Sequence, residues 1–394
     1  MKIAESNNMC VFFLEGRVDS NNAPQLEEEI FEVLDRRQND AAPIFFDAEH
    51  LLYISSAGLR ALLKVMKKYD RPVKVVNVSR EVYEIFDTTG FTELMEVRKA
   101  FRRVSVEGMN LIGRGMFGSV YRADDETVIK VFTPNSNFNL MIAQENQKAK
   151  NAFISGVPTA IPYDIVQVGN CYGTVYEMLN AKDLVTVMAE DKAHMDDYIR
   201  LFADTVKEMH TIKVSPEKFQ QQKTAAIRAL PYLSSMMSEE ETNKVRALYE
   251  NIPDRSTFIH GDCHIGNAML QEGQLMFIDL ATAGMGHPIF DMTSMHSLFC
   301  ERANDPQAIA ASPVLKHFTR EELFHIWDVF LRTYLSTDNA ALLKKAERQI
   351  GALSLARRLF MLIAIPGSLT PEEFAAMKQA IIDYCDQGLE PICF

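Results

Sequence analysis

Cysteine is scarce in this chain of 394 residues: six, at positions 10, 171, 263, 300, 385 and 393. They are scattered and include no Cys-x-x-Cys pair. The sequence therefore offers neither a disulfide framework nor a zinc-finger pattern, and it fits reduced thiols in a cytoplasm. Long apolar runs are also missing. No stretch reaches the ~18 uninterrupted apolar residues of a membrane helix, and Met1 to Asn8 holds no apolar core of a secretory signal. Positive charge is in deficit, with 41 Lys and Arg against 53 Asp and Glu and a net charge of −12. That balance argues against nucleic acid or an anionic membrane as the main partner. Residues 1–100 hold 13 basic and 17 acidic side chains, or −4, which leaves −8 for the remainder. Both halves share the deficit, so no acidic tail is implied. There is no internal repeat and no low-complexity tract. What is plentiful is apolar residues, at 47%, enough in a chain of this length for two or more cores.

The most informative stretch is His260-Gly261-Asp262-Cys263-His264-Ile265-Gly266-Asn267, followed by Phe277-Ile278-Asp279-Leu280. Phosphoryl transfer from ATP needs such a set. One carboxylate accepts or orients the proton of the attacking hydroxyl, while an amide and a second carboxylate hold Mg²⁺ against the phosphates. A metal site built on the adjacent Cys263 and His264 finds no further ligands in the sequence, so His260 and His264 read as loop-packing residues.

Upstream, Gly113-Arg114-Gly115-Met116-Phe117-Gly118-Ser119-Val120 spells G-x-G-x-x-G-x-V. The pattern alone also occurs in dinucleotide folds and plain turns. Its context is strand-like on both sides: 104–112 before it, 119–123 after it, then a turn and a third strand over 127–132. A dinucleotide site requires a helix after the third glycine. A glycine-tipped hairpin instead lays backbone N–H groups over phosphates, and Lys130 on the third strand can reach them as a point charge. Glu145, in the helical segment 140–153, is the natural partner of Lys130, although a surface carboxylate would fit there too. Tyr176-Glu177-Met178-Leu179 ends a strand, either as an ordinary terminus or as a segment whose backbone meets adenine.

These residues resemble the aminoglycoside phosphotransferase branch of the protein-kinase-like fold, over 103–394. The branch's H-G-D-x-H-x-G-N loop is present without a gap, as is its Ile-Asp segment followed by Gly284-Met285-Gly286-His287-Pro288-Ile289-Phe290-Asp291. The resemblance implies Asp262 as catalytic base, and Asn267 and Asp279 as metal ligands. It also implies Gly113, Gly115, Gly118, Lys130, Glu145, Glu177 and Leu179 around ATP, and Asp291 as a structural carboxylate under the catalytic loop. Leu280 and Ala281 stand where eukaryotic protein kinases have Phe-Gly, and no Ala-Pro-Glu follows. The small-molecule kinase branch is the nearer match.

Residues 1–99 alternate strands (11–16, 43–47, 73–78) with helices (21–37, from Ser55, and from Ser79 to Phe86), which argues a layered α/β fold. A serine at the Ser55-Ser56 helix start is first a cap. A helix N-terminus also accepts phosphate readily. The half resembles STAS domains, the fold of anti-sigma-factor antagonists, in Leu14–Asp19, Tyr53–Leu59 and Phe86–Phe91. The resemblance places Ser56 at the antagonists' phosphorylated serine, with Ser55 where they often carry Asp. The junction 97–103 is short and charged, with no Gly/Ser/Pro-rich linker.

The expectation is a cytoplasmic two-domain protein: an α/β STAS-like layered domain (1–99), then an α+β two-lobed protein-kinase-like domain (103–394; N-lobe about 103–180, C-lobe about 181–394, mostly helical). It would use ATP and Mg²⁺ to phosphorylate a small-molecule hydroxyl, such as that of an amino-alcohol or amino-sugar. The alternative is a protein serine kinase or nucleotide-sensing scaffold in an anti-sigma-factor partner-switching pathway, with Ser56 as a phosphosite.

Overall fold

The computed structural model describes residues 2–6, 9–36, 44–115, 118–133, 138–233, 235–364 and 370–394. Met116 and Phe117 of the glycine-rich turn, and the expected element ends at Arg37 and Pro43, lie outside them. The chain divides into two compact units, Met1–Val104 and Ser105–Phe394. Among the described residues no helix is long and apolar enough to cross a membrane.

In the first unit, strands β1 (Lys2–Ser6), β2 (Met9–Val18), β3 (Ile44–Ile54), β4 (Val73–Val78) and β5 (Glu96–Lys99) lie side by side in that order. Only β1 runs antiparallel to its neighbour. The strand expected over 43–47 runs on to Ile54, because Ala48, Leu51 and Ile54 continue the buried set. Helices α1 (Ala23–Asp35), α2 (Ser56–Tyr69) and α3 (Arg80–Thr88) connect the strands. Each lays an apolar stripe on the unit's core: Ile30, Val33 and Leu34 from α1, Leu59, Leu62 and Val65 from α2, Val82 and Phe86 from α3. This stripe at helical spacing is what the sequence carried. Gly58 lets α2 approach closely, since a Cβ there would fall 2.7 Å from side-chain atoms of Ile54 and Val18.

The second unit opens with antiparallel strands β6 (Asn110–Gly115), β7 (Gly118–Arg122) and β8 (Thr127–Phe132), joined later by β9 (Pro162–Val168) and β10 (Cys171–Glu177). Their order is β9–β10–β8–β7–β6. The strand expected from Val104 begins only at Asn110. Glu107-Gly108 makes a turn first, with Gly108 at φ +80°, a conformation that glycine adopts without penalty. Helix α4 (Phe138–Ile154) crosses from β8 to β9, burying Ala149 and Ala152.

The rest is mostly helical. Helix α5 (Met195–Met209) buries Ile199, Phe202 and Val206. Short strands β11 (Thr257–Ile259), β12 (Ala268–Gln271), β13 (Gln274–Phe277) and β14 (Gly284–Gly286) frame the loops that carry the sequence motifs. Helices α6 (Ile289–His296), α7 (Arg320–Leu335) and α8 (Ala340–Ala364) enclose one apolar core around Phe299, Phe330 and Ile350. Helices were expected over 198–209 and 320–334, and each agrees to within three residues.

Candidate active site

The loop after β11 is shaped by a buried carboxylate. Asp291, fully buried at the start of α6, accepts the backbone N–H of His260 at 2.9 Å and that of Gly261 at 2.6 Å. Its partner from α5 is His210 Nε2 at 2.9 Å, whose Nδ1 lies 2.8 Å from the Tyr334 hydroxyl. A carboxylate accepting two backbone N–H groups and an imidazole is fully satisfied away from water. Gly261 sits at φ +82°, and a Cβ there would come 2.3 Å from Thr282 O, so only glycine fits.

The histidines pack as expected. His260 Nδ1 accepts the Asp262 N–H at 3.3 Å, so the proton sits on Nε2, which donates to Ile278 O at 3.1 Å. That is the neutral form, and burial holds its pKa below the ordinary value. His264 Nδ1 accepts the Gly266 N–H at 3.1 Å.

Asp262 is thereby aimed outward, partly exposed. Burial pushes its carboxyl up, but the neighbouring His264 and the Arg357 charge outweigh this and hold it well below the usual carboxylate range. Asn267 Nδ2 donates to the Asp262 carbonyl at 2.9 Å. Asp279 adopts left-handed backbone, φ +63°, unusual for a residue with a Cβ. Strain of that kind is retained where a side chain must point one way.

Lys130 joins the strands to this loop. Its Nζ lies 2.7 Å from Glu145 Oε1 on α4 and 3.0 Å from Asp279 Oδ1, a residue 149 positions away. Burial alone would lower the Lys130 pKa, yet Glu145 and Asp279 outweigh it and keep the ammonium charged. Tyr176 approaches the same Glu145 oxygen at 3.5 Å. Sequence reasoning thus named a set that folds into one cluster: Lys130, Glu145 and Asp279 in one chain of contacts, Asp262 and Asn267 in the adjoining loop.

The glycines separate into two kinds. A Cβ at Gly118 would fall 2.3 Å from Val131 O, so the sheet itself requires glycine there. At Gly113 and Gly115 the nearest atoms would be 3.6 and 4.0 Å away, so nothing among the described residues demands their small size. At the end of β10, the Glu177 side chain accepts the Ile161 N–H at 3.1 Å, and its own N–H donates to Ile161 O. The Met178 N–H donates to Glu126 O. Glu177 is tied into the protein, and Leu179 is the next residue with a free backbone N–H among those described.

Two residues escaped the sequence reading. Arg357 on α8 donates to Gly261 O at 2.9 Å and lies 3.3 Å from Asp262 Oδ1, 95 positions away. Lys148, one turn beyond Glu145, donates to Ala281 O at 2.7 Å and fixes the segment after Asp279. No motif marks either.

Residues 120–321 match the family model described as the phosphotransferase enzyme family, a little over half of the chain. The chain belongs to that family. Residues 1–105 match the STAS domain model. This half is 33% identical over 94 residues to a protein named as the anti-sigma factor antagonist BtrV of Bordetella bronchiseptica, covering 23% of this chain and 78% of that one. It is 29% identical over 87 residues to an anti-sigma-B factor antagonist of Staphylococcus aureus, covering 21% and 78%. Among solved structures, a choline/ethanolamine kinase family protein from Mesorhizobium loti is 14% identical over 71% of this chain and 91% of that one, with a TM-score of 0.45. By the two family models, the chain is a STAS domain joined to a phosphotransferase-family domain.

Proposed function

We propose that the phosphotransferase-family domain, residues 103–394, moves the γ-phosphoryl group of ATP to a hydroxyl of a small molecule, such as an amino-alcohol or amino-sugar. The STAS domain, residues 1–99, acts as its regulatory module. The observation that carries this reading is the joining of Lys130 to both Glu145 and Asp279, beside the loop of Asp262 and Asn267.

The residues fit the nucleotide and its metal. The Asp279 carboxylate and the Asn267 amide oxygen are the hard oxygen donors that Mg²⁺ takes. Gly113 and Gly115 leave room that a Cβ would fill. Asn267 and Asp279 would hold the metal, which would supply neutralisation of the phosphate charge. Glu145 turns the Lys130 ammonium toward the α/β-phosphates. The Leu179 backbone offers an adenine contact. Asp262, ionised across the neutral range, accepts and orients the acceptor hydroxyl, and Arg357 fixes its direction.

A second reading is favoured by one observation. Ser56 is exposed at the first position of α2, and its hydroxyl is not the cap, because Ser55 fills that role at 3.4 Å from the Gly58 N–H. A serine free at a helix N-terminus suits a phosphoryl acceptor in a partner-switching pathway. A ³¹P NMR screen of the purified protein with ATP and Mg²⁺ tests the primary reading against a panel of alcohols. Transfer to at least one small alcohol supports it. Phosphate appearing on protein serine alone replaces it with the second.

A further inference from the structure

Helix α6 ends at His296, but the chain keeps turning. Residues Ser297–Glu301 form a single π-helical turn, the wider i→i+5 form that is rare and appears mostly as an isolated bulge at functional sites. A turn of this width brings both i+4 and i+5 close to residue i. The positions concerned are Cys300 and Glu301, set against His296. His296 Nδ1 lies 3.3 Å from Glu301 Oε1, and the other Glu301 oxygen accepts from Arg358 at 2.8 Å. The imidazole is therefore held by one edge.

Helix α8 supplies the opposite wall. One ligand atom each from His296, Cys300 and Glu347 fall within 4.8 Å of one another. One turn after Glu347 is Gly351, where a Cβ would stand 3.3 and 3.4 Å from His296 Cε1 and Nε2. The Nε2 edge thus faces α8 while the Nδ1 edge rests on Glu301.

We infer that His296, Cys300 and Glu347 form a binding site for one divalent transition-metal ion of the zinc class, clipping α6 to α8. The donors are imidazole, thiol and carboxylate, a set that suits zinc rather than the oxygen-preferring magnesium. Glu301 on the far imidazole nitrogen is the carboxylate–histidine arrangement that orients metal-bound histidines, and Arg358 anchors it in turn. Ligands of a tetrahedral zinc, at 2.0–2.3 Å from the ion, stand about 3.5 Å apart. The ligand atoms lie within 4.8 Å of one another, so closing the site takes at most about 1 Å of side-chain movement. Glu347 is exposed, so it can make that movement and opens a path for the ion. Cys300 is buried, and that burial, with the carboxylates of Glu347 and Glu301 adding to it, pushes its thiol up. Three protein ligands leave the fourth position to water. The site is separate from Asn267 and Asp279, and its consequence is mechanical. Helix α8 carries Arg357 to the catalytic loop, and α6 begins beside Asp291, so the clip fixes the two supports of that loop against each other.

The test is a titration of the chelator-treated full chain with Co²⁺, a coloured stand-in for zinc, in excess Mg²⁺. One Co²⁺ per chain should bind with a thiolate-to-cobalt charge-transfer band, and Zn²⁺ should abolish the band by displacement. Cys300→Ser should remove the band. Glu347→Ala, at an exposed position that leaves the core intact, should weaken binding at least 10-fold, and Glu301→Gln should weaken it about 10–100-fold, the usual effect of losing an outer-shell partner. Absence of the band in the unaltered chain overturns the site, as does a band that survives Cys300→Ser. So does an affinity unchanged in both Glu347→Ala and Glu301→Gln, a readout that stands even if Cys300→Ser does not fold.

Discussion

Asp262 shows how much of an active site a single carboxylate owes to its neighbours. Asp291 fixes the backbone before it, Asn267 takes its carbonyl, and Arg357 lies against its side chain. Replacing it with Asn keeps the shape and removes the charge. Asp262→Asn is expected to lower turnover by roughly 10²–10⁴, the usual span for a lost general base, with ATP affinity changed by less than about 10-fold. Steady-state kinetics against equilibrium ATP binding checks this, and a loss confined to KM for ATP would make Asp262 a binding residue. Under the proposed function Arg357 acts through Asp262, which it contacts, and not on the nucleotide. A hydrogen bond to a charged group is worth about 1.5–3 kcal/mol, so Arg357→Ala should lower kcat roughly 10–100-fold with little change in KM for ATP. Arg357→Lys should recover part of it; equal losses in both variants would point to packing instead. The two residues also differ in legibility. Asp262, Asn267 and Asp279 sit in contiguous motifs whose spacing carries their chemistry. Arg357 reaches the same place through the fold of a 25-residue helix, and nothing local in Ala356-Arg357-Arg358 distinguishes it from a surface arginine.

At the scale of elements, helix ends explain what sequence left open. The sequence offered Ser55 and Ser56 jointly as a helix start. The structure gives the cap to Ser55 and places Ser56 in the first turn, which holds no acidic residue. Ser55→Ala should therefore cost the first unit about 1 kcal/mol, the usual price of a lost cap. Ser56→Asp should be neutral or stabilise by about 0.3–1 kcal/mol, because a negative charge there meets the positive end of the helix. Urea midpoints of the two variants decide it, and equal destabilisation would refute the assignment. The start of α6 gives a pH prediction. His287 is buried, with Nδ1 accepting the Ile289 N–H at 3.2 Å and Nε2 donating to Phe394 O at 2.9 Å. Burial, with Arg255 nearby, pushes its pKa down to about 4. Unfolded, it titrates near 6.5. Between these values the unfolded chain binds a proton that the folded chain refuses, so stability is full above about pH 6.5 and falls with acidification. The loss attributable to His287 should be on the order of 3 kcal/mol by pH 4. His287→Gln should flatten the acid limb of a stability-against-pH curve, and an unchanged slope would show that the imidazole accepts a proton when folded. The strand that starts at Asn110 instead of Val104 makes the complementary point: apolar alternation cannot reveal a turn at Glu107-Gly108 whose cause is one backbone conformation.

For the molecule as a whole, the two halves have separate interiors. Among the described residues, the buried core of the first unit runs from Phe12 to Met95. Residues 1–104 alone should therefore unfold in one cooperative transition, whereas a unit lacking its own core would not. Under the second reading, an independent STAS domain would signal through Ser56. A phosphate adds nearly two negative charges to the exposed start of α2. The helix end would accommodate that charge, so the domain should stay folded while the surface around Ser56 gains it. Leu52, just ahead of this turn in sequence, is 73% exposed. The expected outcome under the small-molecule reading is that the intact protein, incubated with ATP and Mg²⁺, phosphorylates an added alcohol and leaves Ser56 unmodified by mass spectrometry. The Asp262→Asn form should do neither. A phosphate on Ser56 that appears in the active protein and not in Asp262→Asn would instead make the domain a substrate of its own chain's kinase, and the small-molecule proposal would fall with it unless an alcohol is also consumed.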